Sequence, residues 1–343
     1  MALATSYNVT ANKGAQTNLE NVLKTVEPTE TPLYSTLSQS AAPKATLNEW
    51  LVDSLANPEI GGTIDGVDLS LSAGGSTFAN LIDTRERLGN RVQTYRDLFA
   101  VSRQAEMVDV APGGSLFASS QAKSLLQLKR SIETGIGSGN DQSVGSSSAA
   151  AKMCGLGIWS DPSATGNTFD TSAKQAFRAV SGSRVSLASL TESAFRGLLQ
   201  AVYTAAGSKG TYNLFCGPAV MNKITDYTRS TVTDGNFSFD QDVSGKTLVR
   251  SILTYVSDYS TINIIPDLFL GRVDGSASGT DTVEGTVNTD RGYLIPGDDT
   301  VSLKFLEGIT IQDLPDNGAG KRAFSEAMLT LRVSNPRALG SIV

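Results

Sequence analysis

From Ser115 to Ile136 the chain reads SLFASSQAKSLLQLKRSIETGI, with Leu125, Leu128, Ile132 and Ile136 recurring at steps of three and four. That spacing gathers apolar side chains on one face and predicts a helix over 115–136. Ser115, after Pro112, Gly113 and Gly114, has the chemistry of an N-cap, and Gly135, Gly137 and Gly139 let the backbone leave helical geometry at the other end. At about 1.5 Å per residue the helix is roughly 30 Å long. Lys123, Lys129 and Arg130 fall on its other face, so it is expected to brace a domain while presenting charge away from the core.

Before this helix the apolar pattern is sparse. Residues 1–47 are polar and rich in Thr and Asn, with apolar residues only in small groups such as Leu33, Tyr34 and Leu37, and cannot build a core of their own. They predict an extended arm lying on something else, with one short helix around Asn18 to Val26. Residues 48–103 predict a long two-stranded excursion. In NEWLVDSL, Trp50 and Val52 take one face and Leu51 and Leu55 the other, and NRVQTYRDLFAVS supplies the return strand. Between them Pro58 to Arg87 is rich in Gly and short of core-sized residues. About 17 residues each way at 3.3 Å per residue reach roughly 50 Å, beyond the radius of a domain this size. A loop of that length is expected to pack on a neighbouring subunit.

After the helix, Ser138 to Ala151 is a Ser/Gly/Ala run with the composition of a flexible connection. A second region then alternates helices and strands. Ser189 with Glu192 has the spacing of a capping box, and Phe195, Leu198, Leu199 and Val202 follow at helical spacing up to Gly207. YNLFCG reads as a short buried strand, Pro218 opens a helix with Met221 and Ile224 inward, and TLVRSILTYVS and TINIIPD read as strands. Gly271 to Thr289, acidic and Gly-rich, predicts an exposed loop. In EAMLTLRV, Ala327, Leu329, Leu331 and Val333 alternate with Glu326, Thr330 and Arg332, the pattern of a half-buried strand between the turn at Pro315 to Gly318 and Asn335-Pro336. These closing strands have no helix of their own, and the helix over 115–136 is their expected cover. The fold class is α+β.

Composition narrows the function more than the fold. A chain of 343 residues, 40% hydrophobic and 18% charged, buries a substantial core in one large or two ordinary domains. Its net charge of −6 and sequence pI near 4.9 argue against a broad basic surface for nucleic acid. There is no histidine, which removes the commonest general base, the Ser-His-Asp arrangement and most zinc sites. Cys154 and Cys216 stand far apart without CxxC spacing and read as reduced, semi-buried thiols of a cytoplasm-like compartment. MALATSYNVTANKG lacks the basic and apolar regions of a signal peptide, and no run approaches the roughly 20 apolar residues of a membrane span.

The motifs that suggest chemistry are incomplete. Gly245-Lys246-Thr247 matches the end of a phosphate-binding loop, but Asp240 stands where that loop needs Gly, and Asp242 adds a second negative charge. Gly135, Gly137 and Gly139 follow a helix where a dinucleotide fingerprint follows a strand. Asp298-Asp299 and Asp240 with Asp242 offer oxygen ligands to a divalent ion, yet they read equally as acidic turns. Arg85, Glu86 and Arg87 after Thr84 are either a solvated face or an inter-subunit ion-pair site. Asn8-Val9-Thr10 is a formal glycosylation sequon, void without secretion.

Arm, long hairpin, long helix, α+β region and returning strands, in that order, resemble the major capsid proteins of tailed bacteriophages with the HK97 fold, and among them the group similar to the phage SU10 major capsid protein. The resemblance is carried by TPLYSTL at 31–37, EWLVDSL at 49–55, NRVQTYRDLFAVSRQAEMV at 90–108, LKRSIE at 128–133, GLGIWS at 155–160, LTESAFRGLLQ at 190–200, TYVSDYSTINIIPD at 254–267 and EAMLTLRVSNPRA at 326–338. It implies an N-arm at 1–47, an E-loop at 48–104, a peripheral domain at 105–150 with a spine helix at 115–136, an axial domain at 151–290, and peripheral strands at 291–343. It also implies a non-enzymatic shell protein without cofactor or metal, assembling as hexamers and pentamers around double-stranded DNA in the bacterial cytoplasm. The expected partners are other copies, portal, scaffolding and cement proteins, and the DNA only by weak or local contact. An encapsulin-like compartment and an enzyme using Gly245 to Thr247 are the alternatives. Trp50, Asp53, Arg85, Glu86, Arg87, Lys123, Lys129 and Arg130 are the candidate interface residues.

Overall fold

The computed structural model describes residues 29–55, 85–108, 114–207, 210–226, 253–270, 290–315, 318 and 320–343. The chain enters through a short helix α1 (Pro32–Thr36) and strand β1 (Ser38–Ser40), and then forms a hairpin from β2 (Leu47–Val52) and β3 (Glu86–Arg91). Strand β4 (Gln93–Ser102), helix α2 (Arg103–Met107) and the long helix α3 (Leu116–Ile136) follow. The middle of the chain holds α4 (Leu156–Trp159), α5 (Ser172–Gln175), β5 (Arg184–Val185), α6 (Glu192–Ala206), β6 (Thr211–Cys216), α7 (Pro218–Thr225), β7 (Thr254–Val256) and β8 (Thr261–Pro266). It closes with β9 (Gly292–Pro296), β10 (Val301–Leu314), β11 (Gly320–Val333) and β12 (Gly340–Ile342).

One layer is a four-stranded sheet in the order β1, β10, β11, β4, with α3 packed across β4 and β11. The alternation along β11 decides which face is covered: Ala323, Ala327, Leu329, Leu331 and Val333 turn inward, and register sets Tyr95 of β4 against Ala327 and Leu303 of β10 against Leu331. Leu128, Ile132 and Ile136 of α3 are buried in the same core, each stabilising it by about 2 kcal/mol. The N-cap holds as expected, Ser115 Oγ accepting from Ala118 N at 3.3 Å. Gly135, expected to end the helix, lies inside it. A Cβ there would collide with the Tyr95 hydroxyl, so the residue is glycine for close packing of helix on sheet.

The second layer is a mixed six-stranded sheet in the order β5, β12, β9, β6, β8, β7. Its central strand β6 is buried on both faces. Leu214 and Cys216 meet Phe195, Leu198 and Val202 of α6 and Val220 and Ile224 of α7, while Phe215, with Tyr293 and Ile295 of β9, faces the core that holds α3. Thus one sheet separates two apolar clusters and joins them through its backbone.

Several expectations change. The return strand of the hairpin is β3; NRVQTYRDLFAVS mostly forms β4, which leaves the hairpin at Val92 and pairs with β11. Residues 291–343 do not all join the long-helix layer, because β9 and β12 belong to the six-stranded sheet. The cap of α6 is Thr191, whose Oγ1 accepts from Ala194 N at 3.2 Å, while Ser189, two residues earlier, ends a 3-10 turn. Ser138 to Ala151 is not merely a connection: Ser138 and Gln142 are buried, and the Asp141 carboxylate accepts from Thr168 N at 3.2 Å. The expected helix around Asn18 to Val26 and the loop Gly271 to Thr289 lie outside the described residues.

Candidate functional site

Three parts of the chain meet at a pair of buried carboxyl groups. Glu133, on α3, is fully buried; its Oε1 accepts from Leu33 N at 2.6 Å and its Oε2 from Tyr34 N at 2.5 Å. These N–H groups belong to the first turn of α1, where a helix has no internal acceptors, and Thr31 contributes no side-chain cap. A carboxyl group one hundred residues away therefore caps the helix. The second acid, Asp267, follows β8 and is 1% exposed; its Oδ1 accepts from Phe269 N and its own N donates to Cys216 O, both at 2.9 Å. Burial, and then Asp267 beside it, push Glu133 up to about 9, and burial also raises Asp267. At neutral pH the two share a proton and titrate as one unit, because two adjacent buried carboxylates repel.

The hairpin is fastened beside this joint. Asn90 of β3 is fully buried, donating from Nδ2 to Leu331 O at 2.8 Å and to Cys154 O at 3.0 Å, while its Oδ1 accepts from Cys154 N at 2.7 Å. Trp50 packs on Trp159 with ring centroids 5.7 Å apart, and Val52 is buried. On the opposite face Leu51 is 64% and Leu55 93% exposed.

The candidate interface residues fall into two groups. Asp53 faces Arg85 at 3.0 Å and Glu49 faces Arg87 at 3.9 Å across the hairpin, all largely exposed, so the pairs contribute little to the subunit alone. Glu86 lies opposite Val52 in the same ribbon, and Trp50 anchors it from its inner face. On α3, Lys123 is exposed and Lys129 half-buried, whereas Arg130 is engaged within the subunit, its guanidinium 4.8 Å above the Phe269 ring. Glu133, Asp267 and Asn90 were missed. Glu133 adjoins Ile132 at the margin of the apolar stripe and reads as helix surface; nothing local in the sequence marks the other two.

Small-molecule chemistry finds little support among the described residues. Burial raises the Cys154 thiol well above its ordinary range and pushes Cys216 up to about 12, so both are held protonated. Asp298 accepts from Thr300 N at 3.0 Å, the work of a turn residue. A shallow cleft among Leu199, Tyr203, Tyr259 and Leu294 encloses essentially no volume, well short of a ligand pocket. No described helix is long and apolar enough to cross a membrane. Asp240, Asp242 and Gly245 to Thr247 lie outside the described residues.

The fold has clear relatives. The capsid asymmetric unit of cyanophage A-1(L) superposes with a TM-score of 0.67 at 13% identity, covering 99% of each chain. The capsid of an empty GTA particle gives 0.61 at 10% identity, again over 99% of each. The mature capsid of bacteriophage PhiM1 gives 0.55 at 11% identity, over 99% of this chain and 96% of that one. A comparison with curated proteins returns no match. The fold is the HK97-like one of phage capsids, and the family model for the SU10 major capsid protein matches residues 3–343. A structural shell protein rather than an enzyme, the chain belongs to the SU10 major capsid protein family.

Proposed function

We propose that this capsid protein binds its neighbours chiefly through the β2–β3 hairpin, acting as an E-loop, and assembles as hexamers and pentamers into the icosahedral head of a tailed double-stranded DNA phage. Residues 1–47 serve as the N-arm and 48–92 as the E-loop, since β4 leaves the hairpin at Val92. Residues 105–150, with β4, β10 and β11, form the peripheral domain, and 151–290, with β9 and β12, the axial domain around the centre of each hexamer or pentamer. Assembly takes place in the host bacterial cytoplasm, with portal, scaffolding and cement proteins as further partners and DNA held only by weak or local contact.

One observation carries this reading. The ribbon turns Trp50 and Val52 onto its own subunit and leaves Leu51 and Leu55 at 64% and 93% exposure beside the Asp53–Arg85 pair. Large apolar side chains rimmed by charge on a two-stranded ribbon mark a docking surface. A chain built to assemble with itself supplies the occupant. The test is the double variant Leu51→Asp/Leu55→Asp, followed by circular dichroism of the subunit and electron microscopy of the assembly reaction. The expected result is native secondary structure without closed shells. Normal shells would refute the reading, and loss of secondary structure would assign the hairpin to the fold of the subunit instead.

A further inference from the structure

The face of the four-stranded sheet turned away from α3 carries two cations, Lys304 and Arg332, that meet no carboxylate among the described residues. Register sets Ser38, Ser302 and Arg332 in one row across the strands, and Ser40, Lys304 and Thr330 in another. Their strand neighbours Leu303, Leu329, Leu331 and Val333 are the residues buried in the core, so these six share the opposite face. Ser40 Oγ and Ser302 Oγ lie 3.2 Å apart and bond to each other. Thr330 is fully buried, yet its Oγ1 has no hydrogen-bond partner, and neither do the buried atoms Ser38 Oγ and Arg332 Nε. Among the described residues no carboxylate pairs with Lys304 or Arg332. Burial, and then Arg332 beside it, hold Lys304 below the ordinary lysine range. Half-buried like charges among orphaned hydroxyls destabilise a subunit by itself, and an arriving oxyanion relieves both defects.

We propose that Lys304, Arg332 and the hydroxyls around them form an oxyanion site, and that its occupant in the assembled shell is a side-chain carboxylate of a second copy of this chain. The inference rests on the shell reading above. Three features select this occupant. The planar guanidinium beside hydroxyl donors matches a two-oxygen acceptor. Among the described residues strand β1 is the sheet edge, paired with β10 alone, so another copy reaches the site from that side. Each copy carries 34 Asp and Glu against 28 Lys and Arg, which makes carboxylates the abundant anion of a neighbour and disfavours close approach of DNA phosphates.

The full-length chain and its Arg332→Gln and Lys304→Gln variants provide the test. In the unassembled subunit, sodium sulfate is compared with sodium chloride at equal ionic strength. Sulfate should raise the melting temperature of the parent chain by several degrees more than that of R332Q, the general salting effect being common to both. In assembly reactions without DNA, R332Q should raise the critical concentration for shells about tenfold, the loss of one charge-assisted contact, while its subunit melts in chloride no lower than the parent. An unchanged critical concentration overturns the proposal. So does a lower melting temperature in chloride, which would make Arg332 part of the fold, or a defect confined to DNA-filled particles, which would make the occupant a phosphodiester. If the parent chain forms no shells but keeps the sulfate effect, the shell reading and the carboxylate occupant both fall. If shells form and the sulfate effect is absent, only the oxyanion site falls.

Discussion

Replacing Glu133 by Ala removes the acceptor of two backbone N–H groups, Leu33 at 2.6 Å and Tyr34 at 2.5 Å. An unsatisfied buried donor costs about 1–3 kcal/mol, and Leu33 is fully buried while Tyr34 is partly so. The variant should therefore lose about 2–4 kcal/mol of subunit stability, most of it by releasing α1 from α3. Glu133→Gln keeps one acceptor and gives Asp267 an amide donor, so it should lose less, and it carries the more informative test. Because burial raises Glu133 to about 9, the folded subunit holds a proton that the unfolded chain, near pH 4.3, releases. Stability is then fully present below about pH 4 and falls as pH rises towards 9, by up to about 1.4 kcal/mol per pH unit for one proton. Asp170, held low by its hydrogen bond with Lys174, titrates below this window. Guanidinium unfolding of unassembled subunits, followed by the fluorescence of buried Trp159, at pH 5, 7 and 8.5 measures the slope. A slope in E133Q equal to that of the parent chain, or a loss below 0.5 kcal/mol in E133A, would refute the reasoning.

Two further outcomes follow from the packing. Gly135→Ala should destabilise the subunit by about 1–3 kcal/mol in denaturant titration, although alanine favours helix by about 1 kcal/mol, because the new methyl meets the buried Tyr95 hydroxyl. Adding Tyr95→Phe should recover much of that loss, and a stabilising G135A would show that the ring yields freely. Cys154 and Cys216 should resist a chromogenic disulfide reagent at pH 8 in the native subunit and react fully in guanidinium, since with Cys216 near 12 only about one thiol in ten thousand is ionised. Rapid labelling of either native thiol would contradict the burial that sets these values.

What the pattern of residues determined by itself is what depends on near neighbours along the chain. The step of three and four from Leu125 to Ile136 specifies α3, and the alternation from Ala327 to Val333 specifies the inward face of β11. The opposition of Trp50 and Val52 to Leu51 and Leu55 specifies which side of the hairpin is buried. Helical and strand periods are local, so they survive without knowledge of the partner. The arrangement of the parts, and with it the family, follows from their order.

Partner choice was decided only by the tertiary structure. Tyr95 and Phe99 suit a hairpin strand as well as the inner sheet, and only packing against α3, with glycine at 135, draws β4 to β11. The short runs of β9 and β12 carry no mark of which sheet they join. The most consequential contacts are the least visible. Glu133 and Asp267 are ordinary polar residues until three segments close around them, and Lys304 and Arg332 become neighbours only through the register of β10 on β11. Burial and charge proximity are properties of the folded whole, and that is why the acids at the start of α1 and the adjacent cations of the sheet are visible only in space.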